Sequence, residues 1–448
     1  MSHNTTTVDN AGHARNVSAF SITEGNRRYV LGLLLVVSLF NFVDRQIMSV
    51  LLESIKREFS FSDTQLGLLG GMAFAVFYST LGIPLASMAD RFNRRNIIAV
   101  TLCLWSAMTA VCGFAVGFIS LFLARVGVGV GESGSSPASY SLLSDYYPSE
   151  RRGTALAVLG MGIPLGVLTG FLVGGWVNQF FGWRSAFMVV GIPGIALAIL
   201  LRFTMREPPR GHYDIHHSMT EALPILATFK YLWKRPACHH LCLASALYGL
   251  SGWGAGIWQP PFFMRVHGMS SGVAGTWLAF VFGLSGACGA FLGGKIGDQL
   301  YRRTKDPRWY MWISSAGILI AIPAVFLVYL WPTPIPAFLF LIPPTLLGHM
   351  YLGPSMAMLL GIAGPRRRAM ASAIYSFFVN LISMGLGPLI VGMTSDYLQP
   401  RYGNDSLRYA ILSVVVIATL WAAIHFLLAT KTLRDDLAAA GDVAPIGT

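Results

Sequence analysis

The sequence predicts an all-α membrane protein in which twelve transmembrane helices form two six-helix, pseudo-symmetric lobes. Three observations predict it. Of 448 residues, 54% are hydrophobic and only 12% charged, against about 25% charged in ordinary soluble domains, and the mean hydropathy is +0.58. The apolar residues run in stretches of roughly twenty, enough to cross a ~30 Å hydrocarbon core at 1.5 Å per helical residue; barrel strands would instead show short alternating segments. Finally, a polar break near the middle separates two halves that repeat one another.

Apolar windows bounded by charges or Gly/Pro clusters place the helices at 29–52, 65–89, 96–117, 120–143, 153–179, 184–205, 238–264, 272–297, 309–330, 335–360, 369–394 and 407–429. Helix 1 carries Asp44 and Arg45 within its apolar run, and helix 2 stops at the charged turn Asp90-Arg91. Helix 3 contains Cys103 and Cys112; helix 4 contains Arg125 and Glu132. On helix 5, Gly162, Gly166, Gly170 and Gly174 recur every four residues, a smooth stripe for close backbone contact. Helix 6 ends near Arg202, and helix 8 near Lys295, both simply explained as snorkelling. Helix 7 holds Gly249, Gly252, Gly254 and Gly256 before Trp258-Gln259-Pro260-Pro261, so its far half should bend easily, although packing explains the individual glycines as well. Helices 9 to 12 are apolar, with His349 on helix 10 and His425 on helix 12. Trp253, Trp258, Met350 and Tyr351 suit either a cavity wall or ordinary packing.

The net charge of +12 would suggest nucleic acid in a soluble domain, but its placement reads as orientation instead. The loops sharing a side with both termini hold 22 Lys and Arg, the opposite loops 6, and four lie inside helices. The positive-inside rule then puts both termini in the cytoplasm. The five cysteines, completed by Cys238, Cys242 and Cys288, fall in apolar stretches, so no disulfide framework is implied. Residues 1–25 are polar and lack a signal-peptide pattern, and read as a disordered tail; 431–448 form a second cytoplasmic tail. The break at 206–237 is a cytoplasmic linker between lobes at 26–205 and 238–430. Its His212, His216 and His217 lack carboxylate or thiol partners at ligand spacing, so no metal or other cofactor is expected.

The repeat is local and specific. Ala86-x-x-x-Asp90-Arg91-x-x-Arg94-Arg95 follows helix 2, and Gly294-x-x-x-Asp298-x-x-x-Arg302-Arg303 follows helix 8 at the same spacing. Arg151-Arg152-Gly153 after helix 4 is echoed by Arg367-Arg368-Ala369 after helix 10. A small residue, Asp and then an Arg pair in this place resembles the signature of the major facilitator superfamily. Within it, Asn41-Phe42-Val43-Asp44-Arg45, Asp90-Arg91-Phe92-Asn93-Arg94 and Arg125-Val126-Gly127-Val128-Gly129-Val130-Gly131-Glu132 together resemble the spinster family, with Asn93 where the general pattern has Gly. Gly170-Phe171-Leu172-Val173-Gly174-Gly175 resembles the superfamily's antiporter motif with Phe171 in place of its proline. Animal spinster proteins move lysophospholipids or phosphorylated sphingoid bases, so the resemblance implies an amphipathic, lipid-like substrate. Short loops and the positive-inside pattern fit a bacterial inner membrane.

A charge at mid-membrane costs several kcal/mol unless it faces a wet cavity or a partner. Counted from the expected far ends of helices 1 and 4, Asp44 and Arg125 lie at one level, about 12–14 Å deep. If those helices adjoin, as the resemblance implies, an Asp44–Arg125 ion pair is available. Glu132 lies about 10 Å deeper and needs another partner, or a proton. The reading is that Asp44 and Glu132 carry a coupling proton while Arg45 or Arg125 attracts an anionic head group. The competing reading is a purely structural network. Asp90, Arg91, Arg94, Arg95, Asp298, Arg302 and Arg303 sit at helix ends and are expected to latch a cytoplasmic gate.

No G-x-x-x-x-G-K-[ST] loop is present, so transport would draw on a gradient rather than ATP. Alongside proton-coupled transport of an amphipathic anion or zwitterion by a monomer, three readings stay open: a proton symporter for a small organic anion such as a sugar acid, a non-transporting lipid sensor, and an intramembrane hydrolase built on Gly131-Glu132-Ser133-Gly134. The last needs a base near Ser133, and the membrane histidines lie in the other lobe. Its partners are therefore the small molecule, protons and membrane lipid, with no nucleic acid.

Overall fold

The computed structural model describes residues 22–213 and 225–441. Most of the expected N-terminal tail, the last seven residues of the C-terminal tail, and His216 and His217 lie outside the described residues. Among the described residues there is no strand.

Eight uninterrupted helical stretches are long and apolar enough to cross a membrane. Two of them, Ser149–Thr204 and Pro365–Ala429, run 56 and 65 residues, far beyond the ~20 that a single crossing uses. Each is a pair of crossings joined by a glycine turn. Gly182 at φ +80° reverses the chain between helices 5 and 6, and Gly403 at φ +55° does so between helices 11 and 12. Two further crossings complete the twelve. Helix 4 is interrupted at Ser133-Gly134 into Phe118–Glu132 and Ser135–Tyr146, and helix 7, Pro236–Arg265, is diluted by glycine and carries Pro260 and Pro261 inside it.

The remaining helices are helix 1 (Glu24–Phe59), helix 2 (Asp63–Arg91), helix 3 (Arg94–Cys112), helix 8 (Ser271–Thr304), helix 9 (Trp309–Leu330), helix 10 (Pro334–Ala363) and helix 12 (Ser406–Ala429). Helix 11 comprises Arg368–Asn380 and Gly387–Tyr402, joined by a π-turn at Leu381–Leu386. A short helix, Ile225–Trp233, precedes helix 7, and another, Leu433–Ala438, follows helix 12.

Helix 1 outruns its expected end at residue 52. Glu53, Lys56 and Arg57 end the apolar run but not the helix, which stops only where Ser60 turns left-handed at φ +55°. At its other end Thr23 caps it, its hydroxyl accepting from the Asn26 N–H at 3.2 Å.

The glycine stripe of helix 5 packs on helix 1 as its spacing predicts. A Cβ on Gly166 would meet the Leu39 carbonyl and Phe42, one on Gly170 would meet Gln46 and Val43, and one on Gly174 would meet Ile47. Where helices 2 and 11 meet across the lobes, both carry a π-turn, Leu68–Met72 and Leu381–Leu386, and Gly71 lies against the Met384 and Gly385 carbonyls. Such turns bend a helix without breaking it, here at a contact between the two halves.

Candidate functional site

The four charges expected in helices 1 and 4 all cluster inside the N-terminal lobe, in a different pairing. Arg45 Nε lies 2.8 Å from Glu132 Oε2, and Asn41 Nδ2 donates to the same oxygen at 2.9 Å. The Arg45 guanidinium also lies 4.5 Å from the ring centroid of Tyr78, 5.1 Å from Phe42 and 5.2 Å from Phe74. An aromatic box of this kind stabilises a desolvated cation. The anticipated Asp44–Arg125 ion pair is absent. Asp44 is buried with neither carboxylate oxygen hydrogen-bonded, and the groups around it are Thr109, Trp105, Glu132 and, at longer range, Arg125. Arg125 is buried with its guanidinium 5.6 Å from the Phe74 ring centroid and its Nε unpartnered.

The true end of helix 1 explains the exchange. Arg45 is fourteen residues before Phe59, and Glu132 is fourteen residues after Phe118, so these two share a level. Asp44 and Arg125, fifteen and seven residues from the same ends, are offset by about 12 Å. The interruption at Ser133 also has a use for its hydroxyl, which donates to the Val130 carbonyl at 2.7 Å. His349 lies in the other lobe, its Nδ1–H donating to the Thr345 carbonyl at 2.6 Å, and His425 meets His240. Neither is a base for Ser133.

A cavity of about 880 Å³ lies between the lobes, within the ~300–1,000 Å³ of small-molecule sites. Phe42 and Gln46 line it from helix 1, Trp253 and Gln259 from helix 7, His349 and Tyr351 from helix 10. Its wall is mostly apolar. Arg45 and Arg125 are not on it, although Gln46 beside Arg45 is. Of the other residues the sequence marked for a wall, Trp258 is fully buried and donates to the Pro388 carbonyl at 2.9 Å, while Met350 packs against Gly293.

The cavity is closed on the face opposite the termini by contacts that sequence reasoning missed. Arg265 at the end of helix 7 pairs with Glu53 of helix 1 at 3.0 Å and with Asp63 of helix 2 at 2.8 Å. Asp63 is also held by Lys56 at 2.5 Å and by the Ser395 hydroxyl at 2.6 Å. Asp396 of helix 11 accepts from the Asp63 and Thr64 N–H groups at 2.9 and 2.7 Å, capping helix 2 from the other lobe. Arg265 and Lys56 were among the six cations on the side where few belong, and that exception was the available signal.

Toward the termini face the lobes part. Along helices 5 and 8, a Cβ on Gly175 would lie 2.6 Å from the Ser271 carbonyl oxygen and one on Gly283 3.5 Å from that of Pro164, whereas Gly160 and Gly294 have nothing within 4 Å. Gly160, Ile163 and Pro164 of helix 5 and Ala287 and Phe291 of helix 8 border the cavity at this widening seam, and Ile163 and Phe291 are exposed.

The two loop repeats differ on this same face. Arg94 is buried, pairing with Asp145 and with Glu207 at 2.7 Å, and Arg95 donates its backbone N–H to Glu207 at 2.9 Å. Asp90 and Arg91 are exposed. In the second repeat Asp298 accepts from the Tyr310 hydroxyl at 2.8 Å, but Arg302 and Arg303 are exposed. The ion pairs there belong to Asp306, which holds Arg308 at 2.9 Å and Arg434 at 2.7 Å. Partial burial pushes the Asp306 carboxyl up, but the two guanidiniums outweigh it and bring it down to about 2.

Residues 34–359 match the family model described as Major Facilitator Superfamily. An "MFS-type efflux pump" of Mycolicibacterium smegmatis is 33% identical over 91% of this chain and 93% of its own length. Human "Protein spinster homolog 1" is 25% identical over 90% of this chain and 80% of its own. A crystal structure of a bacterial homolog to the human lysosomal transporter spinster, described as inward-facing and unoccupied, superposes with a TM-score of 0.85 at 32% identity, covering 92% of this chain and 99% of that one. Twelve helices in two lobes about a central cavity, with these relatives, mark a small-molecule transporter and not an enzyme: the chain belongs to the Major Facilitator Superfamily, in its spinster-like branch.

Proposed function

We propose that the protein carries an amphipathic, lipid-like anion or zwitterion, of lysophospholipid or sphingoid type, across a bacterial inner membrane by proton-coupled alternating access, working as a monomer with both termini cytoplasmic. The observation that carries the substrate class is the mostly apolar cavity, bordered by helices 5 and 8 where they separate toward the termini face. An acyl tail can rest on such a wall, whereas each hydroxyl of a sugar acid buried there needs a hydrogen-bonding partner. The zebrafish relative named "Sphingosine-1-phosphate transporter SPNS2", 26% identical over 90% of this chain, supports the same class.

In this reading the closed far face and the parted termini face make the present state inward-facing. Glu132 neutralises Arg45 while the cavity is empty. When Glu132 takes a proton, the Arg45 guanidinium is released to attract the head group, with Arg125 as the second cation. Asp44 has no hydrogen-bond partner to stabilise its charge, and a proton on it removes the cost of burying a bare carboxylate. Arg94 with Asp145 and Glu207, and Asp306 with Arg308 and Arg434, brace the cytoplasmic ends. Asp90, Arg91, Arg95, Asp298, Arg302 and Arg303 stand where the lobes would meet on closure.

The test is flux of a fluorescent lysophospholipid into proteoliposomes under an imposed pH gradient, set beside a radiolabelled sugar acid. Gradient-dependent lipid flux, reduced at least tenfold by Glu132→Gln, is expected. Flux of the sugar acid alone would overturn the substrate class.

A further inference from the structure

The helix Ile225–Trp233 turns Thr228 and Leu232 inward and leaves Leu226 and Trp233 exposed. Phe229 stacks on Trp233 at 5.6 Å between centroids and approaches Phe378 of helix 11, itself exposed, at 6.4 Å. An exposed aromatic patch at the end of a membrane-crossing bundle suits the boundary between acyl chains and head groups. Beside it stand Lys230, Lys234 and Arg366, all exposed, and Arg367. No carboxylate of the described residues pairs with any of these four.

Two guanidiniums converge on one ring here. Arg367 Cζ lies 4.0 Å and Arg235 Cζ 5.0 Å from the Tyr231 centroid. Among the described residues, Asp436 reaches only Arg235 of these, at 3.9 Å, and its other oxygen accepts from the Ala237 N–H at 2.9 Å. Like charges gathered on one phenol, with the local carboxylate already engaged, leave a positive pocket that an anion would neutralise.

We propose that Lys230, Lys234, Arg366 and Arg367 form a site for the phosphate head group of an anionic phospholipid in the leaflet on the termini face, whose acyl chains lie over Phe229, Trp233 and Phe378. The aromatic patch favours a lipid over a free phosphate, because only a lipid covers it. The site is separate from the central cavity and does not depend on what the cavity carries. Its position between the short helix, helix 7 and helix 11 means that a bound lipid braces the second lobe.

The test uses the full chain released from vesicles of phosphatidylcholine containing phosphatidylglycerol, with co-purifying lipid counted by native mass spectrometry. Retained phosphatidylglycerol is expected for the wild type. Lys230→Gln, Lys234→Gln and Arg367→Gln should each weaken retention by about fivefold, the effect of one basic residue at an anionic surface. Arg302→Gln removes equal charge from another loop of the same face and serves as the control. Loss of retention in that control to the same degree, or no loss in the first three, overturns the site. Displacement of the lipid by inorganic phosphate alone would overturn the lipid assignment.

Discussion

Helices 1 to 6 bury Asp44, Arg45, Arg125 and Glu132 within their crossings, while among the described residues of helices 7 to 12 no Asp, Glu, Lys or Arg is buried at mid-membrane. The second half offers uncharged polar groups there instead, such as the Gln259 amide donating to the Tyr329 hydroxyl at 2.6 Å. Yet the halves share a loop signature at identical spacing. The repeat preserves the fold of each lobe and leaves its interior free to diverge. One lobe became the charged half, and the other kept a neutral wall on which an amphiphile can rest.

The comparison breaks most readily at Arg45. Removing one member of a buried pair leaves the other uncompensated, so Arg45→Ala should lower stability by about 3–5 kcal/mol, read from thermal unfolding in detergent. Arg45→Leu with Glu132→Leu should recover most of that loss, because an apolar pair of similar volume removes the stranded charge. Transport should stay absent in both. A double variant as unstable as the single one would mean that the pair does not act as a unit.

The loop repeats provide the next test. Arg94→Ala strips Asp145 and Glu207 of a buried partner and should cost about 3 kcal/mol. Arg302→Ala with Arg303→Ala, on exposed side chains, should change stability by no more than ~0.5 kcal/mol. Equal effects would show that the two repeats do the same work.

At the opposite face, Arg265→Ala leaves Glu53 with only its exposed neighbour Arg57, at 3.7 Å, and weakens the hold on Asp63. A charged hydrogen bond contributes about 1.5–3 kcal/mol, enough to shift the balance of two states by roughly tenfold or more. Spin labels replacing Phe180 and Val273, near the far ends of helices 5 and 8, should then report a longer distance. An unchanged distribution would mean that the ion network does not hold that face shut.

The smallest effect belongs to Asp306. Its carboxyl is brought down to about 2, so the stability it adds is present above the ordinary aspartate range near 3.9 and is lost as pH falls through about 2. Acidifying from neutral to pH 5 should leave this contact intact. Asp306→Asn should cost under ~1 kcal/mol once solvent screening is counted.

Much of this was legible because hydropathy, charge asymmetry and glycine spacing are one-dimensional signals. The helix 5 stripe 162-166-170-174 meets helix 1 as its period requires. The pairing of the buried charges was not legible, because depth was counted from where the apolar run of helix 1 ends rather than from where the helix ends. Residues 53–59 are helical but mostly polar, and they put Asp44 and Arg45 at the level of Glu132 instead of Arg125, where only Arg45 has the opposite charge. The far-face latch escaped because Glu53, Asp63, Arg265 and Asp396 come from four helices and only the packed lobes bring them together.

The central claim is that the charged half couples protons to movement of an amphiphile. The most direct measurement is the fluorescent lysophospholipid assay in proteoliposomes, comparing wild type, Asp44→Asn and Glu132→Gln with and without an imposed pH gradient. Flux that the gradient accelerates in the wild type, and that becomes insensitive to the gradient in both variants while the proteins remain folded, is the predicted result. Gradient-dependent flux that survives in both variants would contradict the account and leave the buried charges as a structural network.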